Sequence, residues 1–136
     1  MEILLVEDNP ADIRLIQEAL KELRGNIRLR IAKNGIAALD LLHQAANVFR
    51  PDLILLDINL PGKNGLEVLA ELKQDSHLKR IPVIVLSSSQ DKQDIFNAYN
   101  HHANCYIAKP VELDQLIILL RSIEDFWFRV VQLPSN

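Results

Sequence analysis

The chain has 136 residues, 18 acidic against 15 basic side chains, one cysteine and a formal charge of −3. That length suits one domain, large enough to bury about two-thirds of its unfolded surface without disulfides or a structural metal. A lone cysteine closes no internal bridge, which fits a reducing, cytoplasmic setting, and the acidic balance argues against nucleic acid as a partner.

In chain order, Ile3–Val6 predicts a first strand, too short for a signal peptide or membrane span and ended by Glu7-Asp8. A helix follows with Ile13, Ile16, Ala19, Leu20 and Leu23 at 3.6 spacing and Pro10 just inside its start. Leu29–Ala32 predicts a second strand, and after the turn Asn34-Gly35 a helix carries Ile36, Leu39, Leu42 and Ala46. Leu53–Leu56 predicts the third strand, Pro61-Gly62 a turn, and Leu66, Leu69, Ala70 and Leu72 a third helix. Val83–Leu86 is a fourth strand, followed by a weaker helix marked by Ile95, Ala98 and Tyr99, with Asp91 near its start. Cys105–Ala108 is the fifth strand, and Leu113, Leu116, Ile117 and Leu120 begin a last helix. Short, uninterrupted apolar runs suit strands buried on both faces, and five strand–helix repeats predict a doubly wound α/β domain with a parallel sheet.

In such sheets ligands bind beyond the carboxyl ends of the strands. Those ends carry Glu7-Asp8, Asp57, Ser87-Ser88-Ser89 and Lys109-Pro110. Taken singly, each residue reads as a helix cap, a turn residue or a solvated surface group. Together they converge on one edge of one sheet. Carboxylates gathered there repel, by roughly 4 kcal/mol per pair at 4 Å and an effective dielectric near 20. A hard divalent cation offsets this with oxygen ligands. An aspartate beside such an ion and a lysine is equipped to attack a phosphoryl group and become an aspartyl phosphate, with Ser87 donating to a phosphoryl oxygen.

At this point the stretches ILLVEDNPAD, PDLILLDINLPGKNGLEVL, IPVIVLSSS and CYIAKP resemble the receiver domain of two-component response regulators. The likeness runs from Met1 to about Phe126, with Asp57, Pro61 and Gly65 in the family's spacing. It implies a flavodoxin-like fold with five parallel strands in the order 2-1-3-4-5, an order for which receivers are a standard example. It implies Asp57 as phosphoacceptor and Mg2+ as cofactor. Asp8 and Asp57 would ligate the metal, with the backbone carbonyl of Asn59, while Glu7 acts largely through water. Ser87, with Ser88 beside it, and Lys109 would hold the phosphoryl group, and Tyr106 would be the aromatic switch residue. The Lys109–Pro110 bond is expected to be cis. On phosphorylation Ser87 would move to the phosphoryl group and Tyr106 would turn inward. Such a protein catalyses its own phosphorylation and dephosphorylation without being an enzyme in the usual sense. His102 stands where the family usually has glycine; histidine tolerates the left-handed conformation better than most residues. Cys105, within an apolar strand, reads as a buried, inert thiol.

Beyond the inward stripe of the last helix, Leu119, Ile123, Phe126 and Val130 form a second one, bridged by Trp127. The combined arc is about 200°, against ~100° for a helix facing one core. Residues 127–136 are therefore expected to be an apolar extension to a receiver domain of residues 1–126. The five named residues are expected to form an interface, most simply of a homodimer. The alternative is that the tail folds back over its own core. The ending EDFWFRVVQLP also resembles single-domain regulators partnered with cyanobacterial phytochrome histidine kinases. That implies a light-sensing kinase as donor and an unidentified protein as downstream partner.

Three rivals are weighed on the same residues. A haloacid-dehalogenase-type phosphatase or phosphotransferase also makes an aspartyl phosphate, but it wants an acid two positions after its nucleophile, where this chain has Asn59. A receiver-like module that only binds partners would need no intact site. A flavin or nucleotide binder would want a glycine- or hydroxyl-rich cradle where Glu7-Asp8-Asn9-Pro10 stands.

Overall fold

The computed structural model describes residues 1–23, 25–44, 50–110 and 112–134. Five strands, β1 (Glu2–Val6), β2 (Arg28–Ala32), β3 (Leu53–Leu56), β4 (Val83–Ser87) and β5 (Cys105–Ala108), form one parallel sheet in the order β2-β1-β3-β4-β5. Between and after them run α1 (Pro10–Leu20), α2 (Gly35–Gln44), α3 (Gly65–Gln74), α4 (Lys92–Asn100) and α5 (Leu113–Ile123). The expected α2 position Ala46 lies outside the described residues. Among the described residues, no helix is long and apolar enough to cross a membrane.

The central strands are apolar on both faces because both faces are covered. Successive strand side chains point to opposite sides. Leu4, Val6, Ile54, Leu56, Val83 and Val85 therefore pack with Ala38, Leu39, Leu42, Val68, Leu69, Leu72 and Ala98 of α2, α3 and α4. The intervening Ile3, Leu5, Leu53, Leu55, Ile84 and Leu86 pack with Ile13, Ile16 and Ala19 of α1 and with Leu116, Leu120 and Ile123 of α5. The edge strands are covered less: β5 is half-buried, and β2 leaves Arg28 and Arg30 exposed.

The helix starts have identifiable causes. The Asn9 side chain accepts from the backbone N–H of Ala11 and Asp12 ahead of Pro10, and Asn64 accepts from Glu67. Asp91 accepts from Gln93 at the start of α4, as its position predicted. At the end of α4 His102 adopts φ +70°, and Ala103 donates to the Ala98 carbonyl at 3.0 Å, so a histidine fills the left-handed cap where glycine is commoner.

Asp75 ends α3, and its carboxylate accepts from the backbone N–H of His77 and Leu78 at 2.8 and 3.1 Å. The bond from His77, with smaller help from Leu78 and His43, holds its pKa below the ordinary carboxylate value. A depressed folded-state pKa contributes stability that is present above the unfolded pKa and lost as pH falls through the folded one. Asp75→Ala is thus expected to cost about 1 kcal/mol at pH 7 and much less near pH 2. Urea denaturation across that range measures it.

The C-terminal segment corrects part of the interface expectation. From Glu124 to Val130 the chain continues α5 as a π-helical stretch, straight across the expected boundary at residue 127. Ile123 is 5% exposed and belongs to the protein's own core, against the expectation that it faces a partner. Leu119, Trp127 and Phe128 are partly buried against the same cluster. The physical reason is helical register: Ile123 lies seven residues after Leu116 and three after Leu120, on the same inward face of α5. The widened turn that follows lets Phe128 pack against the same cluster as Trp127. Phe126 and Val130 remain outward, 53% and 68% exposed, with the Phe126 ring edge-on to Trp127 at 5.6 Å. Buried Glu124 anchors the stretch by accepting from the Gly25 backbone N–H at 2.7 Å.

Candidate functional site

Each functional side chain stands where a buried strand gives way to a loop. The Glu7 backbone N–H donates to the Ala32 carbonyl of β2, that of Asp57 to Val6 of β1, and that of Lys109 to Ser87 of β4, at 2.8–3.0 Å. Three cross-strand bonds thus bring three chain-distant residues to one sheet edge. Gly65 tightens the β3–α3 loop by donating its N–H to the Ile58 carbonyl at 3.0 Å. A Cβ there would lie 2.2 Å from the Asp57 carbonyl oxygen.

The cleft that results is lined by Glu7, Asp8, Asn9, Pro10, Asp12, Asp57, Asn59, Ser88 and Lys109. Glu7 and Asp57 are buried. The Lys109 side chain is 7% exposed, and its ammonium meets Glu7 Oε1 at 2.5 Å, Asp12 Oδ2 at 3.0 Å and Asp57 Oδ2 at 3.2 Å. The other Asp57 oxygen accepts from the Asn59 backbone N–H at 3.1 Å, and Glu7 Oε2 accepts from that of Asn9 at 3.2 Å.

The electrostatics follow from this crowding. Burial raises the pKa of Glu7 and Asp57's charge raises it further, while the Lys109 hydrogen bond pulls it back; the net shift is upward. Burial alone would lower Lys109, but its bonds to Glu7 and Asp12 and the charges of Asp57 and Glu7 outweigh that and raise it. Lys109 therefore stays an ammonium. One oxygen each of Glu7, Asp8 and Asp57 lie within 4.8 Å of one another. An all-carboxylate set at that spacing, held by backbone donors and one lysine, fits a hard divalent cation.

The predicted residues divide as follows. Glu7, Asp8, Asp57, Asn59 and Lys109 come together at the cleft, and Ser88 joins its rim. Ser87 does not line it: its side chain is buried and accepts from the Ser89 backbone N–H at 3.2 Å. Tyr106 is half-buried and donates its hydroxyl to the Ser89 carbonyl at 2.7 Å, while its own N–H donates to the Tyr99 hydroxyl at 3.1 Å. The expected cis bond before Pro110 is corrected: no peptide bond among the described residues is cis. Trans is the lower-energy form of an X–Pro bond by about 0.5–1 kcal/mol, and Lys109 reaches all three carboxylates with it.

Asp12 was not anticipated. As an acid in the first turn of α1 it reads as an ordinary dipole partner. No local pattern marks it, because the lysine that it meets lies 97 residues later.

A family profile described as "Response regulator receiver domain" matches residues 3–121. The chain is 48% identical over 136 residues to response regulator Rcp1 of Synechocystis sp., covering 98% of this chain and 92% of that protein. Its fold is similar to that of the phosphorylated cyanobacterial phytochrome response regulator RcpA, at 52% identity and TM-score 0.92 over 98% of both chains. It is similar also to the Mn2+-bound form of Rcp1, at 48% identity and TM-score 0.89 over 98% of this chain and 99% of that one. The strand order, the acidic edge with its lysine and this match agree, and the chain belongs to the receiver-domain family of two-component response regulators.

Proposed function

We propose that Asp57 accepts a phosphoryl group from a phosphohistidine of a sensor histidine kinase, in a magnesium-dependent reaction that this domain itself catalyses. The observation that carries this is the Asp57 carboxylate, buried at the floor of an open cleft, with Lys109 Nζ 3.2 Å away and two further carboxylates within metal-binding reach. An Asp57 oxygen forms a bond to phosphorus as the phosphorus–nitrogen bond to the imidazole breaks, the ring nitrogen keeping the electron pair. Asp8 and Asp57, with the Asn59 carbonyl, would hold the magnesium ion and Glu7 would support it through water. When bound, the ion neutralises charge on the phosphoryl oxygens. Lys109 holds another of those oxygens, and the buried edge keeps bulk water from its ammonium.

The output is a change of interaction surface. Ser89 links Ser87 to Tyr106: its carbonyl accepts from the Tyr106 hydroxyl and its N–H donates to the Ser87 side chain. Ser89 also donates its hydroxyl to Asp94 of α4 at 2.6 Å. A Ser87 drawn toward a phosphoryl oxygen, with Ser88 beside it, would pull this chain of bonds and repack α4 against β5. Couplings of this kind amount to about 1–3 kcal/mol, enough to change partner preference. The relatives' linkage to cyanobacterial phytochrome supports a light-sensing kinase as donor. Phe126 and Val130, exposed beside half-buried Trp127 and Leu119, support the C-terminal segment from residue 127 as part of a homodimer contact. The setting is the cytoplasm, where such kinases present their phosphohistidine.

Incubation with acetyl phosphate and magnesium tests the reading. Intact mass spectrometry is expected to show one added phosphoryl group, prevented by EDTA. Sustained multiple turnover of p-nitrophenyl phosphate would instead favour a phosphatase, and no gain in mass a module that only binds partners.

A further inference from the structure

Lys109 has three N–H donors, and three carboxylates take them all: Glu7 at 2.5 Å, Asp12 at 3.0 Å and Asp57 at 3.2 Å. Given the proposed reaction at Asp57, on which this inference rests, a phosphoryl oxygen arriving there must displace one of these acceptors. The three are not equal. Glu7 is 1% exposed, and losing its lysine would leave a buried carboxylate short of a partner, which is costly. Asp57 is itself the reacting group. Asp12 is 32% exposed on the open rim, at the first turn of α1, and can return to water cheaply.

We propose that Asp12 is a positioning residue that holds Lys109 before transfer and competes with the phosphoryl group for it. Its geometry also makes it a source of repulsion. It adds a further negative charge to a cleft already lined by Glu7, Asp8 and Asp57, against the single ammonium of Lys109. Every anionic donor meets that charge, and every phosphoryl group must displace that hydrogen bond. Asp12 therefore slows phosphorylation by small donors and makes Lys109's engagement the controlled step. The covalent chemistry is unchanged: an Asp57 oxygen bonds to phosphorus, and the phosphorus–oxygen bond to acetate breaks with acetate keeping the electron pair.

The test uses the full chain with acetyl phosphate at saturating magnesium, so that any change in metal affinity is masked. Asp12→Asn is expected to raise the apparent second-order rate constant roughly two- to fivefold, the range of one partly exposed ion pair. The gain should shrink as salt is raised, and Asp12→Glu should restore the slower rate. Asp40→Asn removes the same charge from an exposed position on α2 and is expected to leave the rate unchanged. A second readout needs no donor: the 15N–1H ammonium signal of Lys109, assigned by its loss in Lys109→Arg, should shift in Asp12→Asn and not in Asp40→Asn. A wild-type protein that gains no phosphoryl group overturns the reading of Asp57 and this inference with it. A wild type that reacts, with Asp12→Asn no faster or Asp40→Asn equally faster, overturns this inference alone. So does an ammonium signal that ignores Asp12→Asn.

Discussion

Lys109→Met is expected to destabilise the metal-free protein by about 3–5 kcal/mol at pH 7, the cost of removing one partner from a buried ion pair. Methionine keeps most of the lysine's apolar stem, so the loss is chiefly of charge. The side chain is 7% exposed and offers its ammonium to Glu7, Asp12 and Asp57, of which Glu7 and Asp57 have almost no access to water. The effect depends on pH with a definite sign. Glu7 already has a raised pKa through burial, and the Lys109 bond is what pulls it back. Without that bond its folded-state pKa rises further. A raised folded pKa gives a penalty that is absent below the unfolded value and grows as pH rises from there to the folded one. The destabilisation should therefore shrink as pH falls from 7 toward the ordinary carboxylate value of 4.5. Magnesium should recover much of it at pH 7, because a divalent ion supplies the missing positive charge. Urea denaturation of both proteins, with EDTA and with magnesium, checks each part; equal stability at pH 7 in EDTA would contradict the charge account.

Gly65→Ala is expected to cost about 2–3 kcal/mol by overpacking and to slow phosphorylation by as much as about a hundredfold, the penalty of an ångström-scale misplacement. The added Cβ would lie 2.2 Å from the Asp57 carbonyl oxygen and 2.4 Å from Ile58 Cα. Both are backbone atoms, one of them belonging to the proposed phosphoacceptor, so the strand end or the start of α3 must move. Gly62 is the useful contrast. It has φ +68° in the β3–α3 turn, and nothing lies within 4 Å of where its Cβ would be. Gly62→Ala should cost only about 1 kcal/mol of backbone strain and leave phosphorylation intact. Equilibrium denaturation and rates with acetyl phosphate distinguish the two. A Gly65→Ala protein as active as Gly62→Ala would show that the close approach does not position Asp57.

Most of the fold was readable because burial writes itself plainly into central strands. Ile3–Val6, Leu53–Leu56 and Val83–Leu86 are continuous apolar runs since helices cover both faces, and the observed strands match them to within a residue. The acidic edge was readable for a related reason: a charged residue directly after such a run has few places to stand. What could not be read required knowing the third dimension. The π-helical turn that begins at Glu124 and brings Phe128 to the same cluster has no sequence pattern to announce it, whereas Ile123 shares the inward face of Leu116 and Leu120, so its spacing alone marked it as core. The anchor of that turn joins Glu124 to Gly25, 99 residues apart, with no local pattern to announce it. Asp12 is unremarkable in sequence and acquires its role only because Lys109, 97 residues later, arrives 3.0 Å from it. Ser87 sits at a strand end as expected, yet its side chain turns into the interior and leaves Ser88 at the cleft.

The central claim is that these strand ends assemble a phosphoacceptor at Asp57, and the most direct measurement is to locate the phosphoryl group. The protein is treated with acetyl phosphate and magnesium, proteolysed under acidic conditions and fragmented by tandem mass spectrometry, beside an Asp57→Asn variant treated identically. The expected result is a single modified residue, Asp57, and no modification of the variant. A phosphoryl group found on Asp8, Asp12 or Ser87 in the wild type, or gained equally by Asp57→Asn, would contradict the account.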